Sequence, residues 1–280
     1  MGGLSVLRRL TQTIGGGQFV YLGDTARLPY GNRSRQEISA FVAEIIAFLS
    51  DYQLDAVIMA CNTSAALAQD VALKVANDYR VQGRGFEVFN LIEPTAQAIC
   101  QQGYERVGVM ATRATAESHA FGRALEALNF AGQVVEVGCP KLVPLIESGR
   151  LGEATIEAEL FLALQEYLLA LAGCDAIVLG CTHFPFVAER IQVMIKGTLK
   201  EHFSRPVVLI DPAESLAMML RAEAPDMVSP PQAADMQFFT SGDVLEFQRA
   251  AERCLGNAVG PVKSVDWLAF SQIPRALVSP

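Results

Sequence analysis

Two stretches of the chain are near copies, and any fold must accommodate both. Residues 55–66 read DAVIMACNTSAA and residues 175–186 read DAIVLGCTHFPF, which sets Cys61 and Cys181 120 residues apart. Each begins as a short apolar run after an Asp, then presents a thiol followed by polar side chains. A run of this kind, rich in Val, Ile, Leu and Met without alternation, predicts a strand buried on both faces of a parallel sheet. The echo extends upstream, where VYLGDTARLPYG (20–31) resembles VEVGCPKLVPL (135–145), each a strand ending in Gly with a Pro six residues on. The two halves read as one α/β unit used twice.

The rest of the chain supports that reading. FVYLGD at 19, DAVIMAC at 55, RVGVMAT at 106, QVVEVG at 133, DAIVLGC at 175 and PVVLID at 206 alternate with longer helical patterns, the mark of β-α units. Ser34 with Glu37 three residues on forms a capping box. Ile38, Phe41, Val42, Ile45 and Leu49 then keep helical spacing, predicting a helix over roughly 34–50. The most apolar segment, 161–181, is interrupted by Gln165, Glu166 and Asp175 and reads as a buried helix followed by a strand rather than a membrane span. The tail predicts a Pro-bounded linker from Val228, a short strand at 236–240, a Ser or Gly turn and a helix from about 243, able to complete the first domain. The expected fold class is α/β, with two pseudo-symmetric domains of mainly parallel sheets and an active site in the cleft between them. The first domain comprises 1–94 plus 208–280, the second 95–207.

Composition narrows the function. A chain of 280 residues, 51% hydrophobic, can bury one large core or two modest ones. A net charge of −8 and a pI near 5.0, with no block of basic residues, argue against nucleic acid and anionic membrane as partners and for a small-molecule substrate. The start, MGGLSVLRRL, lacks an apolar run of signal-peptide length, and residue 6 is Val where a myristoylation motif wants Ser or Thr. The six cysteines form no C-x-x-C pair, which suggests reduced thiols in a cytoplasm. Cys100, Cys139, Cys174 and Cys254 lack polar companions and read as buried structural thiols. There is no G-x-G-x-x-G, no P-loop and no pyridoxal-type motif around any of the five lysines, so the chemistry is expected to need no cofactor.

In a parallel α/β sheet, ligands gather at the carboxyl ends of the strands. Both repeated thiols fall there, each with its own Thr, Thr63 and Thr182. Two acid/base groups on opposite faces of one carbon suit stereochemical inversion, one thiolate removing a proton and the other thiol returning one. Cysteine fits because its pKa, about 8.5 when unperturbed, falls near helix N-termini or a cation. His183 could supply that cation or protonate a developing enediolate. Asn62, Thr63, Ser64, Thr182 and the backbone of PYG offer hydroxyl, amide and N–H groups for an amino acid's carboxylates, and Asp24 and Glu147 offer acids for its ammonium group. Three plainer readings stand beside this. A zinc site from Cys181, His183, Cys61 and an acid lacks close-spaced ligand pairs. A disulfide between the halves is disfavoured in a reducing compartment. Asp24 reads equally as a turn or N-cap residue, and His119 and His202 as surface or core histidines.

With these residues in hand, the sequence resembles the glutamate racemases of the aspartate/glutamate racemase superfamily. GGLSVL at 2, GDTARLPYG at 23, ACNTSAA at 60, GCTHFP at 180 and FFTSGDVLEFQRAAERCLG at 238 carry the resemblance over nearly the whole chain. It implies two α/β domains, the first completed by the C-terminal segment, and a cofactor-independent, metal-free mechanism supplying D-glutamate for peptidoglycan. It further implies that Cys61 and Cys181 are the acid/bases and that Glu147 and His183 support the second thiol. Glutamate would be held by Tyr30, Gly31, Asn62, Thr63, Thr182 and His183, with Thr112 and Thr115 contributing to carboxylate binding. Aspartate racemases share the paired thiols but not GDTARLPYG and GCTH in this form, which favours glutamate over another acidic amino acid. A non-catalytic binding homologue is the reading from another class, and a homodimer is admitted without being required. The family departs from this chain at the front, where a strand ending in Asp-Ser-Gly precedes the Gly-Gly turn. The second half also opens on a strand that the first half lacks, so Met1 is expected to be an internal methionine of a protein that starts upstream.

Overall fold

The alternation of strands and helices begins with the first residues of the computed structural model, which describes residues 1–14, 17–223 and 235–267. Helix α1 (Gly2–Ile14) buries Leu4, Val6, Leu7, Leu10 and Ile14, a stripe at helical spacing. Strand β1 (Gln18–Gly23), helix α2 (Arg35–Leu49), strand β2 (Ala56–Ile58), helix α3 (Asn62–Val81) and strand β3 (Glu87–Phe89) follow. The capping box at Ser34 is formed, with Ser34 N–H donating to Glu37 Oε2 at 2.9 Å and Glu37 N–H donating to Ser34 Oγ at 3.3 Å. The helix therefore starts where its sequence places it.

The chain continues through α4 (Ile92–Cys100), β4 (Arg106–Ala111), α5 (Arg113–Glu117), α6 (Ala120–Ala127), β5 (Gln133–Gly138), α7 (Leu142–Glu147) and α8 (Ala154–Ala170). After these come β6 (Ala176–Gly180), α9 (Ala188–Lys196), β7 (Val208–Ile210) and α10 (Pro212–Glu223). Strand β8 (Asp235–Thr240), helix α11 (Val244–Leu255) and strand β9 (Val262–Ser264) complete the described part. The 161–181 segment is the end of α8 followed by β6, and among the described residues no helix is long and apolar enough to cross a membrane. The linker expected from Val228 lies outside the described residues. Two compact units result: Gly3–Asn90 with the chain from Ala217 on, and Leu91–Leu216. The units divide at 90/91 and 216/217, and β7, paired with β6, lies in the second.

The second unit carries one four-stranded parallel sheet in the order β5-β4-β6-β7. Val107, Val109 and Met110 of β4 and Ala176, Ile177 and Val178 of β6 have no exposed surface, which explains their unbroken apolar runs. The first unit is built from the same parts, with a difference. Its strands form a three-stranded sheet, β1-β8-β9, and a separate pair, β2-β3, all parallel. β1, β2 and β3 stand in chain order where β5, β6 and β7 stand in the other unit. No counterpart of β4 occurs among the described residues, and the sheet is in two pieces at that place. The C-terminal strand β8 lies beside β1, paired from Gln18↔Asp235 to Gly23↔Thr240, so the tail completes the first unit. A core of Ile38, Val42 and Ile46 from α2, Val57 from β2 and Ala68, Ala72 and Val75 from α3 joins the helices to the β2-β3 pair.

Candidate functional site

The ends of the matched strands fix the two repeated thiols in equivalent places. Ile58 of β2 pairs with Phe89, the last residue of β3, and Val178 of β6 pairs with Ile210, the last residue of β7. From each of these positions the chain runs three residues to a cysteine, Cys61 in one unit and Cys181 in the other. Both emerge at the carboxyl edge of their sheets, where polar groups of loops and helix N-termini gather. Gly180, just before the second thiol, is pressed against β4: a Cβ there would lie 2.9 Å from the Met110 carbonyl oxygen and 3.2 Å from the Phe121 ring. Only glycine permits that approach.

In the first unit Cys61 is half-buried and serves as N-cap of α3, its backbone still extended. Asn62, Thr63 and Ser64 form the first turn and are all buried. The Asn62 amide is exceptional, since neither its nitrogen nor its oxygen has a hydrogen-bond partner among the described residues, though both are enclosed. A buried amide left unpaired costs about 1–3 kcal/mol, and a ligand would recover that cost. Tyr30 and Gly31 open a single 3₁₀ turn, Tyr30–Asn32, after a cis Leu28–Pro29 bond. The turn's carbonyls on Pro29 and Tyr30 accept from Asn32 and Arg33. The first N–H groups of such a turn, here on Tyr30 and Gly31, take no part in its own hydrogen bonding. The Tyr30 hydroxyl faces away from this role and donates to the Asp24 carboxylate. Burial pushes its pKa far above the usual phenol value and the Asp24 charge adds to the effect, so it remains a donor.

Asp24 stands at the head of a turn, as one of its sequence readings has it. It precedes a short 3₁₀ turn but makes no capping bond. Its side chain is 5% exposed and already accepts from Arg27 Nε (2.6 Å), Ser241 Oγ (2.7 Å) and Trp267 Nε1 (2.8 Å) as well as from Tyr30. An acid so engaged is not held in reserve for an ammonium group. The sequence offers little that would have revealed this, because Ser241 and Trp267 lie 217 and 243 residues from Asp24.

In the second unit a chain of side chains leads to the thiol. Cys181 is buried, with its Sγ 3.6 Å from His183 Nδ1. His183 Nε2 lies 2.5 Å from Oε1 of Glu147, the last residue of α7. Burial alone would push the Glu147 carboxyl up, but the hydrogen bond from His183 and nearby positive charge outweigh it and hold the pKa at about 2. Glu147 is thus held ionised and accepts a hydrogen bond from His183 Nε2, which leaves Nδ1 facing the thiol. Thr182 is buried beside them. At the end of β4, Thr112 caps α5 through Thr115 N–H, and the two hydroxyls lie 2.9 Å apart. Thr115 has no exposed surface and so supports Thr112 from behind.

The other cysteines and histidines singled out in the sequence are placed as follows. The thiols of Cys139, Cys174 and Cys254 are pushed up by burial and keep their protons. His119 precedes α6 with its ring largely exposed, and His202 sits in a turn beside Glu201. Among the described residues no group of three or more His, Cys, Asp or Glu is placed to hold a metal ion.

Comparison with known proteins adds a family to this geometry. The family model described as Asp/Glu/Hydantoin racemase matches residues 2–220. A glutamate racemase of Gloeobacter violaceus is 38% identical over 90% of this chain and 88% of its own length, and one of Desulforudis audaxviator is 36% identical over 95% and 94%. Among solved structures, glutamate racemase from Francisella tularensis in complex with D-glutamate superposes with a TM-score of 0.80 at 28% identity, covering 95% of this chain and 94% of the other.

Proposed function

The chain belongs to the Asp/Glu/Hydantoin racemase family, and on that premise we propose that it interconverts L- and D-glutamate with Cys61 and Cys181 as its two acid/base groups. The observation that carries the reading is the equivalent placement of the two thiols, each three residues beyond a matched strand position. One thiolate takes the α-proton from one face of glutamate, and the electron pair left behind spreads into the α-carboxylate as an enediolate. The other thiol delivers its proton to the opposite face. The reverse reaction exchanges the two roles, so neither thiol is acid or base by nature.

The surrounding groups divide the remaining work. His183 holds or accepts the proton of Cys181 through Nδ1, and the Glu147 carboxylate fixes the orientation of its ring. The unpaired Asn62 amide, Thr63, Thr182 and the N–H groups of Tyr30 and Gly31 suit two carboxylates, and Thr112, backed by Thr115, offers a further hydroxyl. The reading extends to a cytoplasmic enzyme that supplies D-glutamate for peptidoglycan without a cofactor. Purified protein incubated with L-glutamate in deuterated water, with nothing else added, is expected to yield D-glutamate carrying deuterium at the α-carbon. Unlabelled product, a need for pyridoxal phosphate, or turnover of aspartate in preference to glutamate would each overturn it.

A further inference from the structure

Asp24 binds together three stretches of the first unit that are distant in sequence. Its Oδ2 accepts from Arg27 Nε and the Tyr30 hydroxyl, and its Oδ1 from Ser241 Oγ and Trp267 Nε1. Arg27 is in turn clamped between two rings, its guanidinium carbon 4.1 Å from the centre of Phe41 and 4.3 Å from that of Trp267, and it reaches Glu44 with its other arm. Phe48 stands edge-on to Trp267 at 6.4 Å. A buried carboxylate with several charge-assisted and neutral donors is held rigidly, and it holds those donors in return. Neither Asp24 nor Trp267 has a part in the proton transfers described above. Through the Asp24 carboxylate both are linked to Tyr30, the residue at which the 3₁₀ turn begins.

We propose that Asp24 is a positioning residue and that Trp267 is the strap through which the C-terminal segment sets the Tyr30–Gly31 turn, and with it the hold on the substrate. The proposal rests on the reading that this turn touches glutamate. Asp24 acts on the turn through the Tyr30 hydroxyl, whose ring packs in the same cluster as Cys61, and holds the turn in place rather than exchanging a proton, so loosening it weakens binding of substrate and transition state alike. Its signature is a raised KM at nearly constant kcat. Binding also registers at the strap, since the turn, Asp24 and the indole N–H form one hydrogen-bonded line.

Steady-state kinetics and the fluorescence of Trp267, the only tryptophan in the chain, test this on the full-length protein. Asp24→Asn replaces an acceptor by a donor, Trp267→Ala removes ring and N–H, and Trp267→Phe keeps a ring over Arg27 but loses the N–H. KM for glutamate is expected to rise about tenfold in the first two and about threefold in the third, with kcat within about twofold, the size expected for one lost hydrogen bond to a charged group. Titrating wild-type protein with D-glutamate is expected to shift the Trp267 emission with a midpoint near KM, and Asp24→Asn is expected to abolish the shift. KM values within about twofold of wild type in all three variants would overturn the proposal. So would losses confined to kcat or to thermal stability, which mark a merely structural role. Should Asp24→Asn or Trp267→Ala fail to fold, Trp267→Phe and the wild-type titration decide, and an emission unmoved at saturating D-glutamate defeats the strap. Cys61→Ser and Cys181→Ser separate the two levels. If either variant still racemises at a normal rate, the reading of the site has failed; if both are inactive while KM is unmoved by the Asp24 and Trp267 changes, only the strap has.

Discussion

The two units use the same β-α plan, yet they surround their thiols differently. Behind Cys181 the protein is wired: thiol, imidazole and carboxylate follow one another at 3.6 Å and 2.5 Å, on a continuous four-stranded sheet. Around Cys61, among the described residues, the buried Asn62 amide has no hydrogen-bond partner and the strands pair as β1-β8-β9 and β2-β3. On the proposed reading, the proton relay of His183 and Glu147 stands in the second unit and the open Asn62 amide in the first.

If the thiols are equivalent despite these surroundings, removing either is equally damaging. Cys61→Ser and Cys181→Ser are each expected to lower turnover at least about a thousandfold, in keeping with loss of a reacting group. Each variant keeps one thiol on one face, so residual deuterium exchange without inversion is expected in one enantiomer only, and in opposite enantiomers for the two variants. Exchange of the same enantiomer in both would break the assignment of one thiol to each face. Deuterium and chiral chromatography in one time course give the answer.

The wiring behind Cys181 ranks next. His183→Ala is expected to lower kcat about a hundredfold, the scale of a lost proton-transfer partner, and Glu147→Gln by less, since the ring stays in place. Glu147 also leaves a trace in stability. Its pKa is lowered from 4.5 to about 2, so the folded state's advantage is complete above the upper value and is lost as pH falls through the lower one. Acid unfolding between those limits is therefore expected to become shallower in Glu147→Gln. An unchanged acid limb would place the carboxylate outside the pair.

The split sheet yields a smaller and more local effect. Backbone amides of β1 and β2 are expected to exchange with solvent at least about tenfold faster than those of β4 and β6, a difference of roughly 1.4 kcal/mol in opening free energy. Equal protection would mean that the first unit is as cooperative as the second. The same contrast shows what the sequence could and could not disclose. Strands β1, β2, β4, β5, β6, β7 and β8 are readable because their apolar runs are dense and stop at Gly, Asp, Cys or Thr. β3, with only Glu87, Val88 and Phe89, is too short to show a period, and β9 fails for the same reason. The paired thiols announced themselves by repetition. The His183–Glu147 contact, across 36 residues, was suggested only by resemblance, and the hub at Asp24 was not legible because its donors meet only when β8 and the residues after β9 come alongside β1.

The smallest effect is the most diagnostic of the first unit. Asn62 is 2% exposed and its amide is unpaired, so the folded protein without substrate carries a penalty at that position. Replacing the amide by an apolar group of similar shape removes the unsatisfied atoms without opening a cavity. Asn62→Leu is therefore expected to raise the stability of the ligand-free protein by about 1 kcal/mol, or roughly 2–4 °C in Tm for a chain of this size. The same change is expected to raise KM for glutamate about tenfold, because the hydrogen bonds the amide reserves for the ligand are gone. Bound D-glutamate should then protect the wild type against heat more than it protects the variant, reversing their order at saturation. Thermal unfolding with and without D-glutamate measures both terms. A variant less stable than wild type in the absence of ligand would show that the protein itself satisfies the amide, and the first unit would then have to be regarded as wired like the second.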